Sequence, residues 1–234
     1  MSKISLKHSG GNVVSLNSPS SAPTSADVAF KLPNQDGSAN EFLKTDGSGN
    51  LSFGAVTDNN SWVKLSKTTI TSSTAEVDFT NSITGAFDTY KIYVVTITDL
   101  RGATDDVTLR MRIFNSSGIY TTANYRYVYH AFADGDYNYT GQSEYQIVRH
   151  GIGNQTSGSV FNQNLSAILY LYNFENNKRH QFHGNAVYKS NNNATQLITV
   201  GGTIDEGTAT TGLRFYMSSG NIATAEFTLY GIKS

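Results

Sequence analysis

Val107-Thr108-Leu109-Arg110-Met111-Arg112-Ile113 alternates apolar and polar residues without a break. Successive side chains of an extended strand point to opposite sides, so the four apolar residues share one face and the polar residues share the other. The end of the chain repeats the pattern, because Ala225, Phe227 and Leu229 alternate with Glu226 and its polar or amphipathic neighbours. Both stretches predict strands that cover a core with one face only.

Similar stretches follow one another from residue 62 to the end of the chain, separated by turns rich in Gly, Asn and Asp. No window has a helical period. Strands at this spacing are typical of a β-sandwich. The sequence therefore predicts an all-β fold in which residues 61–234 form a jelly-roll-like β-sandwich. The predicted strands are Trp62–Thr71, Ala75–Phe79, Tyr90–Thr98, Val107–Phe114, Tyr125–Phe132, Ser143–Arg149, Leu165–Phe174, Gln181–Tyr188, Gln196–Val200, Leu213–Met217 and Ala225–Ile232.

The composition excludes several classes of function. Charged residues make up 15% of the chain and the formal net charge is −1, so no excess of Lys and Arg favours a nucleic-acid partner. The chain has no cysteine, which excludes disulfides, thiolate catalysis and cysteine-bound zinc. No apolar run approaches the ~20 residues that cross a bilayer, so we expect no membrane insertion. Met1 to Gly11 lacks an apolar core, and we expect no signal peptide there.

The first 60 residues differ in composition from the rest. All three prolines lie in this segment, whereas all 14 tyrosines and the single tryptophan follow it. Large apolar side chains supply most of the burial energy of a core, so we expect this segment to be ordered by partners. We predict an extended segment over residues 1–25. A small hairpin module follows over residues 26–60, in which two short strands, 42–45 and 51–53, flank the turn Asp46-Gly47.

The hairpin module also carries a resemblance. Leu32-Pro33, Asp36-Gly37, the run from Leu43 to Gly49 and the aromatic Phe53 together resemble a module common in the fibres of tailed bacteriophages. The C-terminal domain is similar, more loosely, to terminal domains of marine phage tail fibres. The residues of this second similarity are Phe87-Asp88-Thr89-Tyr90, Leu109-Arg110-Met111-Arg112-Ile113 and Tyr125-Arg126-Tyr127.

The resemblance implies a homotrimer within a virion, with the N-terminus joined to tail or capsid proteins and the C-terminal domain distal. Residues 1–25 would attach to the particle. Typical fibres carry the module several times, whereas this chain has one copy, so a short fibre, a spike or a tail-tip piece is expected. The residues expected to contact the particle are Val13, Val14 and Leu16, and those expected at the trimer contact are Phe30, Leu32, Phe42, Leu43, Leu51 and Phe53.

Tyrosines are densest between Tyr120 and Tyr145. Tyrosine rings stack on sugar C–H groups, and carboxylates and amides bind sugar hydroxyls, so a glycan site is predicted here. The polar stretch from Ala131 to Gln142 is predicted to be a loop on the sheet, where binding residues tend to lie. Alternatively, the row Tyr125, Tyr127 and Tyr129 packs in the sandwich or between subunits. The residues of the candidate glycan site are Tyr137, Tyr139, Asp134, Asp136, Asn138 and Arg126.

The remaining polar residues predict no catalytic site, no metal site and no cofactor. His130, His150, His180 and His183 are interpreted as surface or packed histidines. Asp134-Gly135-Asp136 lacks the regular spacing of a calcium loop, and Gly201-Gly202 is interpreted as a turn. We therefore expect a non-enzymatic virion fibre that binds host-surface glycan. The alternatives are a head or tail decoration protein with no host ligand and, less favoured, a polysaccharide depolymerase.

Overall fold

The computed structural model describes residues 3–17, 20–21, 30–55, 61–80, 87, 89–131, 135–153, 164–174, 178–191, 194–204 and 209–233. The chain divides into two compact units, Met1–Asn59 and Asn60–Ser234. Within the described ranges every regular element is a β-strand. The prediction of an all-β protein is therefore confirmed.

The N-terminal unit contains two hairpins. Strands β1 (Lys3–Lys7) and β2 (Val13–Asn17) pair antiparallel, as do β3 (Glu41–Thr45) and β4 (Leu51–Ala55). The turn of the second hairpin is stabilised by the Asp46 carboxylate, whose Oδ1 accepts the backbone N–H of Ser48 at 2.8 Å and that of Asn50 at 3.2 Å. Hydrogen bonds from the Asn50 side chain and the Ser48 backbone hold the pKa of Asp46 below its usual value.

The second hairpin exposes most of its large apolar side chains. Leu43 lies directly opposite Phe53, and Thr45 lies opposite Leu51, so Leu43, Leu51 and Phe53 project to one side. Phe42 projects to the other side, opposite Gly54. Exposed fractions are 44% for Phe42, 48% for Leu43 and 39% for Phe53. A single hairpin of this kind buries too little surface to be stable alone in water.

The C-terminal unit consists of two antiparallel sheets. Its strands are β5 (Trp62–Ile70), β6 (Glu76–Thr80), β7 (Ile92–Gly102), β8 (Leu109–Asn115), β9 (Gly118–Ile119), β10 (Tyr125–Ala131), β11 (Gly135–Gln142), β12 (Tyr145–Gln146), β13 (Leu165–Tyr172), β14 (Gln181–Lys189), β15 (Thr195–Ile204), β16 (Gly212–Met217) and β17 (Ile222–Ile232). The larger sheet has the order β11-β10-β15-β14-β13-β7-β17-β5, and the smaller has β12-β8-β16-β6, with β9 paired to β8.

One hydrophobic core lies between the two sheets. Leu109, Met111 and Ile113 are at most 1% exposed, as the alternation of this stretch predicts. Phe227 of the larger sheet meets Phe215 of the smaller sheet at 5.4 Å between ring centroids. Each fully buried side chain of this size stabilises the fold by about 1.5–3 kcal/mol, so the facing rows of such residues account for most of the stability. The arrangement is that of a β-sandwich.

Three sequence predictions for this unit are wrong in whole or in part. The loop predicted from Ala131 to Gln142 is wrong for residues 135–142, because Gly135–Gln142 forms the edge strand β11. An edge strand next to solvent has no clear alternation of apolar and polar residues, so the sequence pattern does not predict it. Gly201-Gly202 is not a turn, because both glycines lie inside β15. The predicted strand Ser143–Arg149 is reduced to the two residues of β12.

Candidate functional site

The outer face of the larger sheet carries a row of residues from four neighbouring strands. Directly opposite residues of antiparallel strands project to the same side. Val128 of β10 lies between Asn138 of β11 and Gly201 of β15, and Gly201 is in turn opposite His183 of β14. Val128 is 49% exposed, which places this row on the outer side of the sheet.

Gly201 interrupts this row and opens a groove. With only hydrogen in place of a side chain, the backbone of β15 forms a floor between Val128 and His183. A Cβ at Gly201 would lie 3.4 Å from its nearest neighbour, the Phe182 carbonyl oxygen, so the position itself has ordinary space above it. Glycine inside a strand is a common sign that a ligand or another backbone approaches closely.

The groove has two halves that share the row through Gly201. The first, the Arg126 half, has a volume of about 390 Å³ and is also lined by Tyr172, Gln181 and Thr203. The second, the His130 half, has a volume of about 460 Å³ and is also lined by Asp136 and Thr199. Both volumes lie within the range of small-molecule sites.

The Tyr172 and His183 rings line one side of the groove, and Tyr170 packs beside His183. The His183 imidazole lies nearly parallel to the Tyr170 ring, with centroids 5.1 Å apart and an interplanar angle of 12°. It lies equally parallel to the Tyr172 ring, at 5.5 Å and 10°. The Tyr172 hydroxyl and His183 Nδ1 are also 3.2 Å apart. Burial, reinforced by the nearby Tyr170, raises the pKa of Tyr172, which stays protonated at neutral pH. These contacts fix the orientation of an exposed imidazole.

Polar pairs close the His130 half. His130 Nδ1 is 2.5 Å from Asp136 Oδ1 across the β10–β11 pair. Thr199 donates its hydroxyl proton to Asn185 Oδ1 at 2.8 Å across the β14–β15 pair. The residues of the next row are thus hydrogen-bonded in two pairs, one across β10–β11 and one across β14–β15.

The predicted glycan residues divide between the two sides of β11 and β10. Arg126 and Asn138 line the Arg126 half, and Asp136 lines the His130 half. Tyr139 lies opposite Tyr127 and stacks on its ring, with centroids 4.9 Å apart, on the side that faces the core. Asp134 lies outside the described residues.

Tyr137 also projects toward the core side, although it borders the His130 half. It lies opposite Tyr129 and packs against the core. The Arg149 guanidinium lies over the Tyr137 ring at 3.6 Å from the centroid. Stacking of Tyr137 on a sugar would therefore compete with a cation–π contact, which is worth about 0.5–2 kcal/mol.

The tyrosine row of β10 belongs to the core. Tyr125, Tyr127 and Tyr129 are 0%, 5% and 1% exposed, which confirms the packing interpretation for these three residues. The Tyr125 hydroxyl donates to the Tyr120 carbonyl at 2.9 Å, and the Tyr129 hydroxyl donates to the Gln146 carbonyl. Burial raises the pKa of Tyr127 to about 12 and raises the pKa values of the other two further. All three are therefore neutral hydrogen-bonding side chains.

Sequence reasoning missed Tyr172, Gln181, His183, Gly201 and Thr203. Five strands bring these residues to one groove with Arg126 and Asn138. The pairing of β10 with β15 joins two parts of the chain that are far apart in sequence, and no local pattern encodes it. One sequence feature does indicate the groove. Gly201 and Gly202 form a glycine pair within a run of β-branched and apolar residues, and glycine inside a strand often marks a place where a ligand or another backbone approaches closely.

The outer face of the smaller sheet carries clusters of paired charges. Glu144 Oε1 is 2.6 Å from Arg110 Nη1, and Glu144 Oε2 is 2.6 Å from Arg112 Nη2. Burial alone would raise the pKa of Glu144, but hydrogen bonds from Arg112 and Ser143 and the positive charge of Arg110 hold it below its usual value. Arg214 forms a second cluster with Asp78 and Glu76.

Other predicted sites are described only in part. Val13, Val14 and Leu16 all lie in β2, where Val13 is 48% exposed. Among the residues with described positions, no group of three or more His, Asp or Glu side chains is placed to hold a metal ion. In the described part of the chain, no helix is long and apolar enough to span a membrane.

No protein-family model, curated protein or solved structure matches this chain. The geometry of the outer-face groove is therefore the basis for assigning a function.

Proposed function

We propose that this chain is a structural fibre or spike protein of a tailed-phage virion, and that its C-terminal unit binds glycan on the host surface. The observation that carries the binding role is the groove over Gly201, which combines a fixed imidazole with amide, hydroxyl and guanidinium groups. Ring faces stack on sugar C–H groups, and amides and hydroxyls exchange hydrogen bonds with sugar hydroxyls. The resemblance of the hairpin module to phage-fibre modules supports the virion role.

The strand order supports a jelly-roll-like fold for the C-terminal unit. Eight strands, β5, β6, β7, β8, β12, β13, β16 and β17, lie in two sets ordered β5-β17-β7-β13 and β6-β16-β8-β12. Numbered one to eight along the chain, they give the orders 1-8-3-6 and 2-7-4-5, in which successive strands usually change sheet, as in a jelly roll. Jelly rolls occur in viral capsid and lectin domains.

The groove lies mainly on strands added to those eight. Strands β10 and β11 are inserted before β12, and β14 and β15 are inserted between β13 and β16. Together they extend the larger sheet beyond β13 and supply most of the groove residues. Binding sites are commonly added to a fold in this way, without change to its core.

The exposed apolar side chains of the N-terminal unit support a homotrimer. Phe30 and Leu32 are 64% and 78% exposed, and Leu43 and Phe53 lie side by side on one face of the hairpin. Sister chains around a threefold axis would cover these side chains. They would thereby stabilise a unit that buries little apolar surface by itself. Residues 1–25 would then join the trimer to tail or capsid proteins.

The distribution of carboxylates favours binding over hydrolysis. Of the described residues that line the two halves of the groove, Asp136 alone carries a carboxylate, and it contacts His130. Most glycosidases need two carboxylates about 5–9.5 Å apart across the scissile bond. The groove therefore supports adhesion rather than the depolymerase alternative.

The test is binding of the full chain to an array of bacterial surface oligosaccharides. We expect the native protein to bind a subset of these, and Gly201→Val to lose binding because the new side chain fills the groove. Val187→Ala is the matched control, because Val187 is 47% exposed on the same face and lines neither half of the groove. Binding that is unaffected by Gly201→Val would show that the glycan site lies outside the groove, and no binding at all would favour the decoration protein. Release of sugar fragments would favour the depolymerase.

A further inference from the structure

A strip of aromatic side chains leads away from the groove across the outer face of the larger sheet. It begins at His183, which lines the groove, and the next ring is that of Tyr170, with centroids 5.1 Å apart. The Tyr170 and Trp62 rings meet edge to face at 6.5 Å, and Trp62 contacts Tyr230 at 5.6 Å. We call these four residues the aromatic strip. Ring contacts thus connect the groove to β5, the far edge strand of the sheet.

The strand register places the aromatic strip on the same side of the sheet as the groove. Tyr230 is directly opposite Val94, Val94 is opposite Tyr170, and Tyr170 is opposite His183. Directly opposite residues project to the same side, and His183 itself is opposite Gly201. The fourth ring of the strip contacts two of these residues and therefore lies on this side as well.

The rings of the aromatic strip pack on a buried valine. Val94 is fully buried, although it points to the outer face and is not part of the core between the sheets. Tyr170 and Tyr230 flank it on the two neighbouring strands, and Trp62 contacts both of their rings, so these three side chains cover it. Trp62 nevertheless remains 41% exposed. The strip is therefore a supported apolar surface that still faces solvent at its far end.

The residues beside the aromatic strip favour a sugar chain over another protein surface. Lys64 lies opposite Tyr230, and the exposed ion pair between Lys67 and Glu226 lies farther along β5 and β17. The centres of protein interfaces are depleted in charged residues, so these side chains do not fit a subunit contact. A sugar has an apolar C–H face for the rings and hydroxyl groups for the tyrosine hydroxyls and the lysine.

The aromatic strip is too long for one sugar. Trp62 lies on β5 and Gly201 on β15, and four strands separate them. Neighbouring strands are about 4.8 Å apart, so the two backbones are about 24 Å apart across the sheet. A ligand that occupies both the groove and the strip must be a chain of several sugars.

We infer that the glycan bound over Gly201 is an extended chain of several sugars, which continues across the sheet and stacks on the aromatic strip as far as Trp62. This inference rests on the proposed glycan-binding function and assigns the ligand class of that site, a stretch of polysaccharide in place of a single terminal sugar. Each further sugar that reaches a ring removes more apolar surface from water, so affinity rises with chain length until the strip is filled.

The experiment compares short and long fragments of one polysaccharide on the full-length chain. The probes are a disaccharide and an octasaccharide, obtained by partial acid hydrolysis of the bacterial polysaccharide that binds most strongly on the array. We expect the native protein to bind the octasaccharide tenfold or more tightly. Trp62 is the single tryptophan of the chain, so its fluorescence reports on the far end of the aromatic strip. The octasaccharide should protect this emission from quenching by acrylamide, whereas the disaccharide should leave it unchanged.

Variants separate ring contacts from the statistical advantage of a longer chain, which offers more binding positions. Trp62→Ala is expected to bind the octasaccharide at least fivefold more weakly than the native protein does, because the statistical advantage survives and the ring contact is lost. Trp62→Phe keeps a ring over Val94, so we expect it to fold like the native protein and to have intermediate affinity. Leu197→Ala is the matched control, because Leu197 is 48% exposed on the same face and lines neither the groove nor the strip.

The failures of the two proposals are distinguishable. Octasaccharide binding that is lost in Gly201→Val but unchanged in both Trp62 variants would overturn the role of the aromatic strip and leave adhesion in the groove in place. Trp62 emission that is already protected from acrylamide without a ligand would show that a sister chain covers the strip, which would likewise overturn the inference. The absence of binding to any glycan on the array would overturn the proposed function itself.

Discussion

Gly201 and Gly202 are neighbours in β15, yet the first borders an open groove and the second is enclosed by the core. A Cβ at Gly202 would lie 2.6 Å from both the Arg126 carbonyl oxygen and the Phe182 ring, and 2.8 Å from the Tyr145 ring. At Gly201 the nearest atom would be 3.4 Å away. Two adjacent glycines are thus required for opposite reasons, one for packing and the other for the groove.

We predict that alanine at these two positions has unequal effects on stability. Gly202→Ala should lower the free energy of unfolding by about 1–3 kcal/mol, because two backbones and two rings must move apart. Gly201→Ala should change it by less than about 1 kcal/mol, and could raise it, since alanine restricts the unfolded chain. Urea denaturation of the two variants checks this. Equal destabilisation by both would contradict the described orientation of β15.

The fixed imidazole leads to a second prediction. His183→Ala should weaken glycan binding about fivefold to tenfold, corresponding to about 1–1.4 kcal/mol, because it removes an imidazole that lines the groove and is held in place by Tyr170 and Tyr172. The measurement is titration calorimetry with a glycan found on the array. Thermal unfolding should change little, since His183 is exposed. A large loss of stability with unchanged affinity would show that His183 serves packing rather than binding.

The Glu144 cluster gives a prediction on stability and pH. Glu144→Gln should lower the free energy of unfolding by about 1–3 kcal/mol at pH 7, because the partly buried Arg110 and Arg112 lose their shared partner. Glu226→Gln is the control: its ion pair with Lys67 is 40–47% exposed at the side chains, so removal should cost no more than about 0.5 kcal/mol.

The pH dependence of that difference follows from the lowered pKa of Glu144. A carboxylate with a folded-state pKa below the unfolded one stabilises the fold at pH values above the unfolded pKa, about 4.3 for glutamate. This contribution is lost as the pH falls through the folded-state pKa. The gap between native protein and Glu144→Gln should therefore be full at pH 7 and shrink below about pH 4.3. A gap that is constant from pH 7 to pH 3 would contradict the ion-pair role.

The hairpin of β3 and β4 leads to a prediction on assembly. We expect the full chain to sediment as a trimer, and Leu43→Glu to shift it toward monomers by placing a charge beside Phe53 on the apolar side of the hairpin. Lys44→Glu is the control, since Lys44 is exposed and lies on the other side, opposite Ser52. Analytical ultracentrifugation distinguishes the cases. A native chain that is monomeric at micromolar concentration would contradict the trimer.

Local alternation was sufficient to predict much of the C-terminal unit. The stretch from Val107 to Ile113 has the predicted buried face, and so does the final strand with Ala225, Phe227 and Leu229. These predictions succeed because one side of each strand covers the core. The buried side therefore appears in the sequence as an apolar residue at every second position.

The groove could not be predicted in the same way. Arg126, Gln181 and Thr203 form a row only because β10, β15 and β14 are neighbours, and pairing order depends on contacts between distant parts of the chain. Tyr137 and Tyr139 are candidates on composition alone, which does not tell on which side of an edge strand a ring lies. Asn138 and Arg126, candidates from the same tyrosine-rich stretch, border the groove.

Strand β14 alternates without exception between exposed and buried positions from Gln181 to Tyr188. Its outward positions, including His183, Asn185 and Val187, touch none of the interior that the intervening residues complete. Substitutions at the outward positions are therefore expected to leave the scaffold intact, and under the proposed adhesion role those beside the groove, such as His183, would change the ligand. A lineage carrying this domain would then change its target through single codon changes, with each intermediate still folded.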